Sequence, residues 1–169
     1  MNANARPSFM SQHPVIRSIS LAIGVMLLLS CHGPKSYLSS DQAPLLSYSK
    51  SMCFGPCPAF SLEVDRNGHV AYVGRANVDP IGQHTGKWSE QDLLKLAETA
   101  AALRLDQKAG TYDNPLITDL PSIRLSFGGH EIYDRINGPD IKAIYTQLDS
   151  LIAATAWTPS KPSSGDKHR

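Results

Sequence analysis

Residues 60–74 read F-S-L-E-V-D-R-N-G-H-V-A-Y-V-G, two alternating segments joined by a turn signal. Large apolar side chains recur at every second position on both sides of the turn: Phe60, Leu62, Val64, Val70 and Tyr72. A period of two is the pattern of a strand that buries one face, so the stretch predicts a β-hairpin.

The turn at residues 65–68 predicts the register of this hairpin. Asp at its first position and Gly at its fourth favour a type I turn with a left-handed glycine, in a three-residue loop. That loop places Val70 opposite Val64 and puts the large apolar side chains on one face. A two-residue turn would instead place Val70 opposite Asp65, and the shared apolar face would be lost.

The residues around the hairpin predict an α+β domain. Alternation and helical spacing indicate four further elements: a strand over 45–51, a helix over 90–103, a hairpin over 123–134 and a helix between Ile141 and Trp157. Ser89 is the expected N-cap of the first helix. We therefore expect a single α+β domain over 45–158, with a small antiparallel sheet of about five strands and two helices on one face.

Length and composition limit the class of protein. The chain has 169 residues, of which 41% are hydrophobic, and its formal net charge is +1. These values suit one packed domain and are too balanced for a fibrous or wholly disordered protein. The small net charge argues against a nucleic-acid-binding protein with a broad basic face.

Residues 1–30 are predicted to be a signal peptide. Arg6 and Arg17 precede an apolar run over 19–29, which at about eleven residues is shorter than the about 20 that a membrane-spanning helix needs. A basic segment followed by a short apolar run is typical of a secretory signal, with a non-cleaved membrane anchor as the alternative.

The end of this run resembles the lipobox of bacterial lipoproteins, here L-L-S-C at 28–31. The resemblance implies that Cys31 is diacylglycerated and the signal removed before it, so that membrane lipid holds the chain. His32, in place of Asp, implies the outer membrane and a domain that faces the periplasm. Residues 31–44 are then expected to be a flexible tether, and residues 159–169 a disordered tail.

Cys53 and Cys57 are the most distinctive pair in the rest of the chain. In an oxidising compartment, a structural disulfide that closes this five-residue loop is the expected state. A thiol-redox pair is a second interpretation, although three residues intervene and a strand follows instead of a helix. A zinc site completed by His69 or His84 is a third.

His84, Asp113 and Asp119 are the other candidates for a binding site. His84 lies in G-Q-H-T-G, where the glycines allow close approach of a ligand. The two Asp residues lie in the long irregular segment 105–121, whose oxygens could bind calcium although their spacing matches no known calcium loop. No catalytic set, cofactor motif or complete metal site is legible, so no catalytic residue, cofactor or metal is predicted.

Three motifs occur in a distinctive order: C-F-G-P-C-P at 53–58, G-Q-H-T-G at 82–86 and T-D-L-P at 118–121. In this order they resemble a bacterial domain-of-unknown-function family of secreted proteins and lipoproteins, marked by C-[FY]-G-x-C-P followed by G-x-H-T-G. The resemblance covers about residues 45–157. It implies no activity, cofactor or catalytic residue.

These patterns favour a membrane-anchored periplasmic lipoprotein whose domain is a non-catalytic binding or envelope-interaction module. Its expected partners are membrane lipid, through Cys31, and an unidentified protein or other envelope component. The alternative is a periplasmic thiol-redox or hydrolytic enzyme that uses Cys53 and Cys57 or His84. If these side chains and Asp119 lie apart instead of lining one pocket, the non-catalytic interpretation is favoured.

Overall fold

The computed structural model describes residues 33–117 and 119–160. The predicted signal peptide at 1–30, the lipidation site Cys31 and residues 161–169 of the predicted tail lie outside these ranges. Among the helices of residues 33–117 and 119–160, none combines the length and the hydrophobicity that a membrane span requires.

The described residues form three α-helices, eight strands and one short 3-10 helix. The helices are α1 (Pro34–Leu38), α2 (Glu90–Ala102) and α3 (Lys142–Ala154), and the 3-10 helix is Leu105–Gln107. The strands are β1 (Leu46–Lys50), β2 (Ala59–Val64), β3 (His69–Ala76), β4 (Gly82–Lys87), β5 (Gly110–Tyr112), β6 (Ile123–Phe127), β7 (His130–Asp134) and β8 (Thr158–Pro159).

All eight strands belong to one mixed sheet, in the order β5-β7-β6-β1-β2-β3-β4-β8. Neighbouring strands are antiparallel except β5 and β7, which are parallel. The predicted α+β fold, a small antiparallel sheet of about five strands with two helices on one face, is therefore wrong. The domain is richer in strands, and its sheet is larger and mixed.

The strands that the sequence pattern missed carry little or no apolar alternation. β4 reads G-Q-H-T-G-K, while β5 and β8 contain three and two residues. β4 and β5 pair with strands that do bury apolar side chains, β3 and β7, and β8 pairs with β4. Backbone pairing leaves no side-chain pattern in the sequence. Amphipathic alternation therefore revealed only the central strands.

Both predicted flexible ends of the domain are partly ordered. Residues 34–38 of the predicted tether form α1, in which Tyr37 is only 1% exposed. Pro159, the first residue of the predicted tail, pairs with His84 of β4, and the Ser160 amide donates to the Gln83 carbonyl at 2.9 Å. The polar composition of these segments concealed their contacts with the domain.

The predicted register of the β2–β3 hairpin is confirmed. Val64 pairs with Val70 and Leu62 with Tyr72, across a three-residue loop closed by a hydrogen bond from the Asp65 amide to the His69 carbonyl. Gly68 has a φ of +78°, and a Cβ there would lie 2.3 Å from the carbonyl oxygen of Trp88. Only glycine fits this left-handed position against so close a backbone.

One face of the sheet carries the core. At its centre, a row of buried side chains crosses five strands in register: Ile132, Leu125, Tyr48, Leu62 and Tyr72. Buried residues of α2 and α3 belong to the same apolar cluster, so both helices cover this face. Burial of each such large side chain contributes about 1.5–3 kcal/mol relative to exposure.

Because of the directions in which the strands run, the loops that connect them lie at two opposite ends of the sheet. Loops 51–58, 77–81, 113–122 and 135–141 leave one end, which we call the disulfide end. Turns 65–68 and 128–129 and helix α1 lie at the other, which we call the N-terminal end. Gly128 allows the close approach of helix α1 at this end, because a Cβ at residue 128 would lie 2.7 Å from the Tyr37 Cα.

Candidate functional site

The loop between β1 and β2 is closed by a disulfide between Cys53 and Cys57, whose Cα atoms are 5.7 Å apart. A disulfide is thus present in the loop where the sequence predicts one. With both sulfurs bonded to each other, neither is available as a thiolate ligand for zinc. Within the described ranges, no cluster of three or more His, Cys, Asp or Glu residues could hold a metal ion.

Hydrogen bonds fasten this loop to its neighbours on both sides. The Ser51 amide donates to the Ser122 carbonyl at 2.9 Å, and the Ser122 amide donates to Ser51 Oγ at 2.7 Å. On the other side, Asn77 Nδ2 donates to the Cys57 carbonyl at 3.0 Å. The disulfide loop is therefore held against loops 113–122 and 77–81.

Exposed apolar side chains are concentrated at the disulfide end. Six large hydrophobic residues of the described ranges are exposed, and five of them lie in these three loops: Met52, Phe54, Ile81, Leu116 and Leu120. The extreme cases are Phe54 and Leu116, which are 92% and 90% exposed. Apolar groups exposed together on a folded domain mark an interaction surface more often than scattered ones do.

A cavity of about 310 Å³, which we call the disulfide cavity, opens beside this loop. Its apolar walls are Pro58, Pro121 and Ile123, with Cys57 at one side. Its polar lining comes from Lys50, Ser51, Ser122, Asp134 and Arg135. A smaller cavity of about 170 Å³ lies between Asp119 and the residues Met52, Cys53 and Phe54.

Both cations of the disulfide cavity are half-buried and held by carboxylates. Lys50 Nζ lies 2.7 Å from Asp149 of α3, and Arg135 Nε donates to Asp113 Oδ1 at 2.6 Å. Partial burial protects these charges from the screening that weakens surface ion pairs. Each cation is therefore fixed in position before any ligand arrives.

Two tyrosines behind the cavity are too buried to ionise readily. Tyr48 donates its hydroxyl to Asp149 at 3.1 Å, and burial followed by that negative charge raises the pKa of Tyr48. Burial also raises the pKa of Tyr145, with a further contribution from Asp134. The Tyr145 hydroxyl is buried and has no hydrogen-bond partner among the described residues. Both side chains remain neutral at physiological pH.

The residues singled out from the sequence do not all meet. Cys53 and Asp119 line the smaller cavity, Cys57 lines the larger one, and Asp113 holds Arg135 at its rim. His84 lies on β4 beside Tyr72 and Pro159 and lines neither cavity. Its Nδ1 atom is buried without a partner among the described residues.

Sequence reasoning missed several residues of this end, including Phe54, Lys50 and Arg135. Phe54 lies inside the C-F-G-P-C-P motif, and its position between two cysteines expected to form a disulfide was the available signal that its side chain is exposed. Lys50 and Arg135 left no comparable signal. They reach the cavity because β6 pairs with both β1 and β7, which brings the ends of β1 and β7 to opposite sides of Ile123.

An open groove of about 640 Å³ lies on the opposite face of the sheet, near the β2–β3 turn. At its rim, His69 Nδ1 lies 3.0 Å from Asp65 Oδ2. Asp65 also accepts the amides of Asn67 and His69 at 2.8 Å, and the hydrogen bond from the His69 amide is the main cause of its lowered pKa. These are the bonds of a side chain that closes a turn, so we assign the pair a structural role.

A family model described as a domain of unknown function (DUF6438) matches residues 44–152 of the chain. The chain belongs to this family. The DUF6438 match spans strands β1 to β7, helix α2 and most of α3, which includes the whole disulfide end. Comparison with curated proteins and with solved structures finds no match. The expected membership of a domain-of-unknown-function family is thereby confirmed.

Proposed function

We propose that this chain is a membrane-anchored periplasmic lipoprotein and that its DUF6438 domain is a non-catalytic binding module. Its contact surface is the disulfide end. The observation that carries the proposal is the concentration of exposed apolar side chains in three loops at this one end. Exposed Phe54 and Leu116 gain the most from a partner, because covering such side chains contributes about 1.5–3 kcal/mol each.

The rigidity of this end supports a binding role. The disulfide and the hydrogen bonds of Ser51, Ser122 and Asn77 hold the loops together before a partner arrives. A pre-organised surface loses less conformational entropy on binding, and more of the contact energy remains as affinity. The apolar loops are thus suited to stable docking.

The position of the chain's N-terminal segment supports the same arrangement. The apolar run over 19–29 and Cys31 are the sequence features in favour of a lipid anchor. Helix α1 begins three positions after Cys31, at the N-terminal end of the sheet. The disulfide end lies at the opposite end of the sheet, roughly 25 Å from the N-terminal end over the length of eight-residue β3.

The enzymatic alternative, a thiol-redox or hydrolytic activity, finds less support. Cys53 and Cys57 are closed in a disulfide that pins a loop, and His84 lies outside both cavities of this end. A catalytic base must come within hydrogen-bond reach of its reaction partners. His84 lies within β4, and neither cavity of this end offers it a reaction partner.

Site-specific photo-crosslinking in intact cells tests the binding surface. A benzophenone amino acid that replaces Phe54 in the full-length chain should give discrete adducts with an envelope component. The matched control replaces Leu94, an exposed apolar residue of α2 that is remote from the disulfide end. Adducts at both positions alike, or none at position 54, would contradict the proposal.

A further inference from the structure

We infer that the disulfide cavity binds the carboxyl-terminal residue of a partner polypeptide. The apolar side chain of that residue enters between Pro58, Pro121 and Ile123, and its carboxylate meets Arg135. This inference rests on the proposed function, since it names the kind of partner that the same surface receives.

The size of the cavity sets the size of the occupant. Its volume of about 310 Å³ lies at the lower limit of small-molecule sites, which begin near roughly 300 Å³. One apolar side chain with its adjoining backbone suits such a space. A long acyl chain would need a longer apolar channel than the three walls Pro58, Pro121 and Ile123 provide.

The charges around the cavity are largely paired. Asp149 holds Lys50, Asp113 holds Arg135, and Asp134 also lines the cavity, so the net charge of these five groups is −1. Recognition of an anion there therefore depends on directed N–H donors that the ion pairs leave free, and not on the net charge of the lining.

The geometry of Arg135 favours a carboxylate as that anion. Of its five N–H groups, Nε–H donates to Asp113 and one Nη2–H donates to the Asn114 carbonyl at 3.3 Å, both within the described residues. The guanidinium therefore keeps donors for the two oxygens of a carboxylate. Capture of a free chain terminus is an established mode of peptide recognition.

The surroundings of the cavity favour a polypeptide over a free fatty acid. Ser51 and Ser122 line it, and Ser122 Oγ, which donates to Ser51 Oγ at 3.0 Å, keeps lone pairs that can accept a backbone amide of a peptide. Beyond them, exposed Phe54 and Leu120 belong to the same two loops and offer contacts for the preceding residues of the partner. A fatty acid would use neither feature.

The probe is a fluorescein-labelled peptide, GSGSL, with a free carboxyl terminus, titrated with the purified full-length chain and followed by fluorescence anisotropy. The same peptide with an amidated terminus should bind about tenfold more weakly, because a charge-assisted hydrogen bond is lost. Equal binding of acid and amide, or no binding of the acid, would overturn the inference. Crosslinks at position 54 would persist in that case if the proposed function is correct.

Two variants separate recognition by Arg135 from its structural pairing. Both Arg135→Gln and Asp113→Asn break the ion pair between these residues, but only the first removes the guanidinium. We expect Arg135→Gln to weaken the acid peptide about tenfold and Asp113→Asn to leave its affinity unchanged or higher. Equal losses in the two variants would show that the pair is only structural.

A competition experiment separates a polypeptide from a lipid occupant. Unlabelled GSGSL acid should displace the probe, whereas octanoate at the same concentration should not. Displacement by octanoate as effective as that by the peptide would overturn the assignment to a polypeptide terminus.

Discussion

Phe54 shows how a single covalent bond creates a surface feature. The disulfide between Cys53 and Cys57 closes a loop of five residues that contains Phe54. Within this closed loop Phe54 is 92% exposed although it is strongly apolar. The same bond that stabilises the loop also presents its aromatic ring.

Replacing Cys53 by Ser tests the stabilising part of this role. Closure of a five-residue loop lowers the entropy of the unfolded chain, which in the chain-entropy model contributes roughly 2 kcal/mol. We expect a lower melting temperature for Cys53→Ser in thermal unfolding followed by circular dichroism. Phe54→Ser is the matched control in the same loop, and its free energy of unfolding should differ from that of the natural chain by no more than about 0.5 kcal/mol. An unchanged melt of Cys53→Ser would rule out the stabilising role.

Helix α2 illustrates an element whose beginning is encoded locally. Ser89 and Asp92 form a reciprocal capping box: the Asp92 amide donates to Ser89 Oγ at 3.1 Å, and the Ser89 amide donates to Asp92 Oδ2 at 3.0 Å. The hydrogen bond from the Ser89 hydroxyl is the main cause of the lowered pKa of Asp92. The box gives both amides a side-chain acceptor, and the helix begins where the sequence predicts.

The capping box makes the stability of the domain depend on pH in acid. Because the pKa of Asp92 is lower in the folded than in the unfolded state, its contribution is present above about pH 4 and is lost as the pH falls through the folded pKa. Asp92→Asn should cost about 1 kcal/mol or less at pH 7, and the gap to the natural chain should close near pH 2. Melting temperatures of Asp92→Asn and of the natural chain, taken at both pH values, measure this difference in stability.

Glu90→Gln is the control for the capping prediction, because it removes the same charge from the same helical turn without touching the box. Its melting temperature should change less than that of Asp92→Asn at pH 7. A gap for Asp92→Asn that stayed constant from pH 7 to pH 2 would contradict the assigned role of the carboxylate.

On the scale of the whole molecule, the two ends of the sheet carry different structural features. Its N-terminal end receives helix α1, the first described element, and its disulfide end carries the apolar loops and both cavities. On the face between these ends, an aromatic row runs across neighbouring strands: the ring centroids of Tyr145 and Tyr48, Tyr48 and Phe60, Phe60 and Tyr72, and Tyr72 and Trp157 lie 4.7–5.9 Å apart. Such packing holds β1, β2 and β3 against each other and against the residues that cover them.

Fractionation of cells that express the full-length chain tests the proposed anchor. Cys31→Ser removes the thiol that the thioether to lipid requires, so we expect the domain to leave the membrane fraction. His32→Ala, one position later, keeps the thiol and should remain membrane-bound. A Cys31→Ser chain that stays in the membrane fraction to the same extent would refute lipid anchoring through this residue.

Part of the candidate site was predictable from the sequence and part was not. Cys53, Cys57 and Asp119 were identified because they stand in short motifs, and all three line cavities at the disulfide end. The ion pair that positions Lys50 joins it to Asp149, which is 99 positions away, and no local pattern predicts such a contact. His84 stood in an equally distinctive motif, yet β4 carries it away from both cavities.

The sequence by itself determined the features that depend on neighbouring residues: the register of the β2–β3 hairpin, the start of α2 and the closure of the disulfide loop. Turn chemistry, capping and loop closure act over a few residues, so local patterns are enough to predict them. Only the tertiary structure decided the eight-stranded sheet, the burial of α1 and the meeting of four loops at one end. Those features arise from backbone pairing and packing between distant segments, which leave no periodic signal in the chain.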